Sequence, residues 1–402
     1  MHGADVVVIG AGVVGLAAAW RLAEAGVAVV VVDAIGVGGG ASSRNAGLID
    51  APGWGRRPAL DDVLKMGSLA IYERLADDGA DIELDRCGRV AAACTDDELA
   101  LAAAEAAAHD GVHLLDGDAL REVEPALGPA VVGGTWTPGA ACADPVAACA
   151  ALAAAAQRCG VRVIATARVT SFEPGPQGGA RLGLQDGDHI DAGAVVLAAG
   201  AWAAPVARLL DEALDVPTVP VFGQMWATIP LPAGTLRTTV VGLESSHAWQ
   251  GGAALDGLPL THDAAGVRRT RHLYGRQRRN GEVVFGGDRI RLAPADHAAT
   301  DPGAVPVVRD DGIAVNRAHA AAVAPVLGSA PTARTWAGVM PFARDGLPLI
   351  GPVPGVRGLM VAGGLGSSGF NRGPMAGWLA ADLLLGRDVP PEVATARLDR
   401  RG

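Results

Sequence analysis

The sequence is poor in positive charge and has few cysteines. Its 43 Asp and Glu residues outnumber 33 Lys and Arg residues, the formal net charge is -10, and Lys65 is the one lysine among 402 residues. Because no global positive field exists to hold a polyanion, the composition argues against nucleic acid as a partner. The five cysteines are odd in number and lack CxxC spacing, so the sequence predicts neither a disulfide framework nor a zinc or other metal site, and it fits a reducing compartment.

A long uninterrupted hydrophobic segment is also missing. The most apolar run, residues 6–20, is shorter than the ~20 residues that cross a bilayer, contains three glycines and follows Asp5 without a basic segment. It therefore predicts neither a membrane helix nor a signal peptide, and a cytoplasmic protein is expected. With 50% hydrophobic and 19% charged residues, the chain is not intrinsically disordered, and its length predicts two lobes or domains.

The N-terminus carries the strongest local signal, a complete βαβ unit. Residues 6–9 and 27–32 are β-branched runs typical of buried parallel strands, and residues 14–25 between them have a helical pattern. The turn after the first strand reads GxGxxG, which allows a tight turn, close approach of a pyrophosphate and close helix packing; an ordinary βαβ turn is the alternative. An acid ending the second strand can bind an adenosine ribose, which favours NAD or FAD over NADP. The residues assigned to this dinucleotide site are Gly10, Gly12, Val13, Val14, Gly15, Asp33 and Ala34.

The rest of the chain surrounds a strand-rich middle with α/β segments. Helices are predicted at residues 102–108, 145–158 and 374–385, and buried strands at 161–164, 194–199 and 359–362. Residues 219–293 show strands and turns with few helical periods, which indicates an antiparallel sheet. We therefore predict an α/β fold with a discontinuous Rossmann-like domain (1–50, 144–216 and 331–402) and a second domain with a large mixed or antiparallel sheet (51–143 and 217–330).

A second small-residue loop follows the dinucleotide unit. Residues 38–49 combine glycines with hydroxyl groups and an arginine, which lets a backbone approach phosphates and a flat ring while supplying donors. A flexible surface loop has the same composition, so the loop alone does not decide between the two. The residues assigned here to cofactor binding are Ala41, Ser42, Ser43, Arg44, Asn45, Gly47 and Leu48.

Taken in order, these and later segments resemble the D-amino-acid oxidase family of FAD-dependent oxidoreductases. The resemblance rests on the N-terminal unit and on residues 41–49, 196–202 (VLAAGAW), 220–224 (PVFGQ), 336–338 (WAG), 345–351 (DGLPLIG) and 363–370 (GGLGSSGF). It spans nearly the whole chain. The chain is similar to the branch that contains glycine and sarcosine oxidases, the β subunits of bacterial sarcosine oxidase and proline dehydrogenase, and D-amino-acid dehydrogenase.

The resemblance implies FAD, held by a discontinuous FAD-binding domain beside a substrate domain. In this family the C-terminal glycine-rich turn runs beside the flavin ring, and the dipole of the following helix stabilises the negative charge of reduced flavin. Histidine and cysteine are absent from residues 41–49 and 335–351, so noncovalent FAD is expected, and denatured protein should lose its yellow colour. The further cofactor contacts implied are Val169, Ala199, Gly200, Trp202, Gly338, Gly364, Leu365, Gly366, Ser367, Ser368, Gly369 and Phe370.

The implied reaction is oxidation of a C–N bond in a small amine, an amino acid or an N-substituted amino acid. Hydride passes to flavin N5, the imine hydrolyses in water, and oxygen or another acceptor takes the electrons. Such chemistry needs orientation and a dry pocket rather than a strong acid or base. The alternatives are a flavin-bearing subunit of a hetero-oligomeric amine dehydrogenase and an NAD-dependent dehydrogenase, and a homo- or hetero-oligomer is left open.

Both carboxylate anchors of the relatives are replaced in this chain. Met340 stands where glycine-oxidase-like members have an arginine, and Asn371 stands where monomeric sarcosine oxidases have a lysine. A buried carboxylate without a partner would cost several kcal/mol. Either the substrate lacks a simple α-carboxylate, or another cation pairs with it, the candidates being Arg56, Arg276, Arg344 and Arg372.

Aromatic and other polar residues supply further candidates for the substrate pocket. Tyr274 lies where relatives place strands that face the flavin, so it either caps the pocket or is a core ring with its hydroxyl at the surface. His247 and Trp249 are secondary candidates. Lys65 stands at a position unlike that of the lysine that speeds reaction with oxygen in sarcosine oxidases, so dehydrogenase activity stays open beside oxidase activity. The residues assigned to substrate handling are Tyr274, Arg276, Arg372 and Met340.

Overall fold

The computed structural model describes residues 3–50, 58–175, 179–243, 261–262, 268–269, 272–291 and 306–400, which include two eight-stranded sheets. The first sheet consists of β1 (Ala4–Ile9), β2 (Val29–Val32), β8 (Arg162–Ile164), β9 (Val169–Pro174), β10 (Ala180–Leu184), β11 (His189–Leu197), β19 (Leu349–Pro352) and β20 (Leu359–Gly363). The helices of the described residues are α1 (Val13–Glu24), α2 (Pro58–Asp77), α3 (Asp96–Ala108), α4 (Gly117–Val123), α5 (Pro145–Arg158), α6 (Ala203–Ala207), α7 (Asp310–Val323) and α8 (Gly369–Leu384).

The centre of the first sheet is parallel, with the strand order β20, β11, β1, β2, β8. Strand β19 is antiparallel to β20, and the β9–β10 hairpin continues the sheet from β11. All four residues of β2 are buried, as expected for a parallel strand covered on both faces. The Rossmann-like α/β architecture predicted from the N-terminal βαβ unit is confirmed.

Helices α1, α2, α5 and α8 share one hydrophobic core on one face of this sheet. Helices α1 and α8 approach so closely that a Cβ on Gly377 would lie 1.9 Å from the carbonyl oxygen of Val14. The interior of α8 contains Pro374, which cannot donate to the carbonyl of Phe370. The buried hydroxyl of Tyr72 on α2 donates to that carbonyl instead, at 2.9 Å. The α2–α8 contact therefore satisfies the group that the proline leaves without its helical partner.

The second sheet is mostly antiparallel. Its strands are β4 (Arg89–Ala93), β5 (His113–Asp116), β6 (Gly133–Thr137), β12 (Thr218–Thr228), β13 (Thr239–Gly242), β16 (Tyr274–Gln277), β17 (Val283–Arg291) and β18 (Thr332–Ala343). The strand order is β18, β12, β17, β16, β13, β4, β6, β5, and β13 and β4 form the parallel pair. Two further pairs lie outside both sheets, β3 (Leu48–Ile49) with β7 (Ala141–Cys142) and β14 (Thr261–His262) with β15 (Arg268–Arg269). The predicted large mixed or antiparallel sheet is confirmed.

Two predicted helices begin earlier in the structure than in the sequence-based assignment. Helix α3 starts at Asp96 rather than 102, because the Thr95 hydroxyl accepts the amide of Glu98 while the Glu98 carboxylate accepts the amide of Cys94 at 2.5 Å. This capping box precedes the alanine run and marks the true start. Helix α8 starts at Gly369 rather than 374. The sequence-based assignment began at Pro374, but this proline lies inside the helix.

The structure also assigns two segments differently from the predicted domain boundaries. Residues 331–402 were assigned to the first domain, whereas β18 is hydrogen-bonded along β12 in the second sheet. Residues 51–143 were assigned to the second domain, whereas α2 packs in the core of the first. Neither position follows from local pattern, since both are set by partners far away in the sequence. Within the described residues, no helix is both long and apolar enough to cross a bilayer.

Candidate functional site

The turn between β1 and α1 leaves space for a group that approaches the backbone closely. Gly10 has φ +115°, and a Cβ there would lie 2.4 Å from the carbonyl oxygen of Ala198. A Cβ on Gly12 would lie 2.7 Å from Ser42 Oγ, so a side chain at this position would fill the space before the helix. Helix α1 begins at Val13, where the helix dipole attracts negative charge. The turn therefore suits a pyrophosphate.

The carboxylate of Asp33, just after β2, fixes this turn. One oxygen accepts the amide of Ala11 at 2.7 Å, and the other accepts the amides of Ile35 and Gly36 at 2.7 and 2.8 Å. A carboxylate offers about four acceptor positions, so one is left on the pocket side. The predicted hydrogen bond to a ribose hydroxyl fits this geometry and stays a prediction.

The loop of residues 38–49 is ordered by its own hydroxyl groups. Ser42 Oγ accepts the amide of Val13 at 3.1 Å, which joins the loop to the first turn of α1. Ser43 Oγ donates to the carbonyl of Gly38 at 2.7 Å. These bonds fix the conformation of residues 42 and 43, and the assignment of the loop to cofactor binding stays a prediction.

Arg44 ties the same loop to the second sheet. Its Nη1 donates to the carbonyl of Ala337 on β18 at 2.8 Å, and Nε1 of Trp336 donates to the Arg44 carbonyl at 3.3 Å. Burial lowers the pKa of the Arg44 guanidinium from its ordinary value. The loop thus links the two sheets on one side of the cavity between them.

The C-terminal glycine-rich turn forms the facing wall. It runs from the end of β20 to the first residue of α8, Gly369. The ring of Phe370 stacks on the buried Tyr72 with centroids 4.9 Å apart, and the carbonyl of Leu365 accepts from Nη2 of Arg372 at 2.6 Å. Helix α2 and the start of α8 therefore hold this turn from behind.

These segments line one pocket, with about 1480 Å³ of space when its open mouth is included. It extends from the β1–α1 turn to β12, β16 and β18 of the second sheet. The predicted cofactor residues that line it are Gly10, Gly12, Val13, Val14, Asp33, Ala34, Ala41, Ser42, Arg44, Asn45, Val169, Ala199, Gly200, Trp202, Gly338, Leu365, Gly366, Ser367, Gly369 and Phe370.

Six residues predicted to bind the cofactor lie outside this lining. For the glycines among them, protein atoms fill the surroundings. A Cβ on Gly15 would lie 1.9 Å from the Gly10 carbonyl oxygen, and one on Gly47 would lie 1.9 Å from that of Ala143. Leu48 pairs with Cys142 in the β3–β7 ladder. The six are Gly15, Ser43, Gly47, Leu48, Gly364 and Ser368.

The second sheet contributes two of the predicted substrate residues to the pocket. Tyr274 and Met340 both line it, and the Tyr274 hydroxyl donates to Met225 Sδ at 3.1 Å. Of the two readings for Tyr274, the pocket position is the observed one. The surrounding wall is apolar, which suits exclusion of water during a redox reaction.

The structure does not bring Arg276 into the pocket lining. Its guanidinium is buried, with Nε donating to the carbonyl of Ala46 at 2.6 Å and Nη2 to that of Ala143 at 2.9 Å. Nη1 lies 3.9 Å from Glu83. Arg276 therefore joins β16 to Ala46 in the loop of residues 38–49 and to Ala143, just after β7. Its predicted contact with substrate has no geometric support.

The other candidate arginines are also paired away from the pocket or fall outside the description. Arg372 pairs with Asp61 at 2.6 Å and is absent from the lining, and the exposed Arg344 pairs with Asp215 at 2.7 Å. The sequence alone could not distinguish an arginine that binds substrate from one that forms an ion pair, because an arginine's partner depends on carboxylates far away in the chain. Three candidates lie outside the described residues, namely Arg56, His247 and Trp249.

Several lining residues were not predicted. Gln224 and Met225 on β12 lie opposite β18, and Gly287 on β17 completes that wall. The sequence could have indicated Gln224 as a pocket residue, because it ends the PVFGQ segment that carried part of the family resemblance. Arg168, just before β9, had none, because an arginine in a polar segment is commonplace.

Comparison with known proteins matches this arrangement to one family. The model of the FAD-dependent oxidoreductase family named DAO matches residues 5–383. The chain belongs to that family. Glycine oxidase of Geobacillus kaustophilus is 28% identical, covering 99% of this chain and 97% of its own, and its crystal structure superposes with a TM-score of 0.83 at 26% identity, covering 100% and 99% of the two chains.

Two more relatives have other substrates in their names. Dimethylglycine dehydrogenase of Rattus norvegicus is 28% identical over 96% of this chain, which spans 43% of that longer protein. Iminodiacetate oxidase of a Chelativorans species has a TM-score of 0.76 at 25% identity, covering 96% of this chain and 97% of its own. The predicted family, the FAD cofactor and the class of reaction, FAD-dependent oxidation of a C–N bond in a small amine, are confirmed.

The residues of the pocket fit FAD. The Gly12 position is a cradle that a Cβ would fill, the α1 terminus faces the same space, and the Asp33 carboxylate lines it. The glycine-rich turn and Phe370 lie at the other end, beside the walls contributed by the second sheet. FAD-family membership also removes the NAD-dependent alternative.

Proposed function

We propose that the chain oxidises the C–N bond of a small aminoacetate compound, that is, glycine or an N-substituted glycine. The observation that carries the proposal is that one pocket extends from the dinucleotide turn to Tyr274 and Met340 on the second sheet. The names of the three relatives, glycine oxidase, dimethylglycine dehydrogenase and iminodiacetate oxidase, share the aminoacetate unit. Support for the substrate class comes from these two facts together.

In this proposal the two ends of the pocket have different tasks. The Gly12 turn, Asp33 and the loop containing Ser42 hold the dinucleotide, while the turn after β20 forms the wall for the flavin ring. When bound, FAD accepts the hydride from the α-carbon of the amine. Tyr274 and Met340 limit the space beside the ring and exclude water, which orients the C–H bond without a protein base.

We infer further that FAD is held without a covalent bond. No histidine and no cysteine stands among the described residues that line the pocket, so a side chain of the usual attaching type is missing there. We also place the reaction in a reducing compartment such as the cytoplasm, on the strength of the cysteine spacing. Electrons pass to oxygen or to a separate acceptor.

Anaerobic mixing of the purified, flavin-loaded protein with candidate amines tests this function. We expect glycine, N-methylglycine, N,N-dimethylglycine or iminodiacetate to bleach the oxidised-flavin absorbance, whereas acetate and methylamine, each with half of the aminoacetate unit, should not. If methylamine bleached the flavin and none of the four aminoacetate compounds did, the proposed substrate class would be contradicted. A loaded protein that no amine bleaches alone, but that turns over with a partner chain, would favour the hetero-oligomeric alternative.

A Met340→Arg variant tests whether a substrate carboxylate points at β18. Met340 is half-buried and lines the pocket, so an arginine there can form a charge-assisted pair. We expect KM for glycine to fall about tenfold or more, since such a bond contributes roughly 1.5–3 kcal/mol. The matched control Met340→Gln adds a polar group without charge and should leave KM nearly unchanged. An unchanged KM in both variants would place the carboxylate elsewhere.

A further inference from the structure

Behind the C-terminal turn lies a group of buried charged side chains that the reaction does not use. Lys65 on α2 is the one lysine of the chain, and it is buried, with 2% of its surface exposed. The charged groups that act on it come from its own helix α2 and from three other segments: the residue after β3, strand β4 and the start of α8. We refer to the following residues as the buried charged cluster: Asp50, Asp61, Lys65, Arg89, Glu105 and Arg372.

The cluster joins the two chain segments that flank the pocket. Asp50 directly follows the loop of residues 38–49, and its carboxylate accepts from Arg89 at 2.8 Å and from the Asn371 amide group at 3.0 Å. The Asp50 amide in turn donates to Asn371 Oδ1 at 3.1 Å. Both polar atoms of the Asn371 side chain therefore bond Asp50, which follows the loop. Asn371 stands at the position where sarcosine oxidases carry a lysine.

The other half of the cluster holds the glycine-rich turn. Arg372 donates to the Asp61 carboxylate at 2.6 Å and to the Leu365 carbonyl at 2.6 Å, and Leu365 lines the pocket. Arg89 also bonds Glu105 at 3.4 Å. Three cations therefore face three carboxylates, and the cluster is neutral only while Lys65 is protonated.

The Lys65 charge does not stabilise the fold. Burial lowers the pKa of Lys65 from 10.5 to about 8, although Asp50 and Asp61 act in the opposite direction, and Arg372 and Arg89 add to the lowering. Between pH 8 and 10.5 the unfolded chain binds more protons, so stability rises with pH in that window. At pH 7 the ammonium group thus works against folding.

We propose that the buried charged cluster positions the flavin wall of the pocket, and that the Lys65 ammonium group makes bound FAD easier to reduce by keeping the cluster neutral. The inference rests on the proposed function, since FAD is the group it acts on. A net negative charge behind the wall would oppose the charge that the flavin gains on reduction. Lys65 is a positioning residue here, since it is not among the residues that line the pocket.

The test is the midpoint potential of the flavin-loaded protein without substrate, for wild type, Lys65→Met and Lys65→Arg. At pH 7 we expect Lys65→Met to shift the two-electron equilibrium about tenfold toward oxidised flavin, which is about 30 mV lower. Lys65→Arg should match wild type at pH 7. Burial lowers the pKa of Lys65 to about 8, so the charge of Lys65 changes between pH 7 and 9.

The pH profile separates this effect from a structural one. Below about pH 8 the midpoint potential of wild type should equal that of Lys65→Arg, and above pH 8 it should fall toward that of Lys65→Met. The urea unfolding midpoint of Lys65→Met at pH 7 should not be lower than that of wild type. Should Lys65→Met not fold, the difference between wild type and Lys65→Arg from pH 7 to 9 still decides. Equal potentials throughout would overturn the inference while leaving FAD binding intact, whereas failure of wild type to bind FAD would refute the proposed function itself.

Discussion

A Gly12→Val variant is expected to fold and to purify without flavin, with an FAD dissociation constant raised about 100-fold or more, equivalent to about 2.7 kcal/mol. The first new atom would lie 2.7 Å from Ser42 Oγ, and the two methyl groups would project into the space before α1. The serine hydroxyl is the end of a side chain that can rotate, so the fold tolerates the change. The pyrophosphate has no such freedom, because the amide groups of the turn are fixed.

The measurement is titration of apoprotein with FAD, followed by flavin fluorescence, beside the urea unfolding midpoint. Gly26→Ala is the matched control, because Gly26 has φ +83° and a Cβ there would meet nothing within 4 Å. It should cost about 1 kcal/mol of stability through its left-handed backbone and keep wild-type FAD affinity. A Gly12→Val protein that stays yellow would show that the anion binds elsewhere.

An Arg276→Met variant is expected to lose about 3 kcal/mol of unfolding free energy. The guanidinium is buried and serves the carbonyls of Ala46 and Ala143, which the methionine would leave without donors. Each buried polar group deprived of its partner costs roughly 1–3 kcal/mol. Urea unfolding measures the loss, and protein loaded with FAD should keep the wild-type KM.

Arg344→Met is the matched control among the candidate arginines. Its ion pair with Asp215 is exposed, so its removal should change stability by no more than about 0.5 kcal/mol. If Arg276 bound the substrate carboxylate instead, Arg276→Met would keep wild-type stability and raise KM at least tenfold. That pattern would restore the role that the sequence suggested.

Local pattern predicted the parts of the fold whose contacts are local. The β1–α1–β2 unit follows from two β-branched runs, a glycine turn and one helical stretch, and each predicted strand of the parallel sheet was found. The start of α3 was predictable in principle, because Thr95 and Glu98 form a capping box that the alanine run obscured. The start of α8 was not, since Tyr72, almost 300 residues away, satisfies the carbonyl that Pro374 frees.

In the candidate site, too, features set by local sequence could be predicted, and features set by distant residues could not. Backbone cradles leave a signature of small residues, so the glycine turn was predicted from its own pattern, while the serine loop and the C-terminal turn were predicted with the help of the family resemblance; all three line the pocket. Side-chain roles could not be assigned in the same way. Arg276 and Arg372 have the chemistry of a carboxylate anchor, but buried carbonyls and Asp61 take their donors in the folded chain.

By itself, the sequence determined the family and the cofactor, through the resemblance of its ordered motifs, and the N-terminal strand-turn-helix unit, which depends on the order of small and apolar residues along the chain. The tertiary structure alone decided that β18 belongs to the second sheet, that α2 packs in the core of the first sheet, and which partners Arg276, Arg344 and Arg372 take. The physical reason is distance along the chain: a turn is set by neighbouring residues, whereas a guanidinium or a buried ammonium group takes its role from charges that only folding brings within a few ångströms.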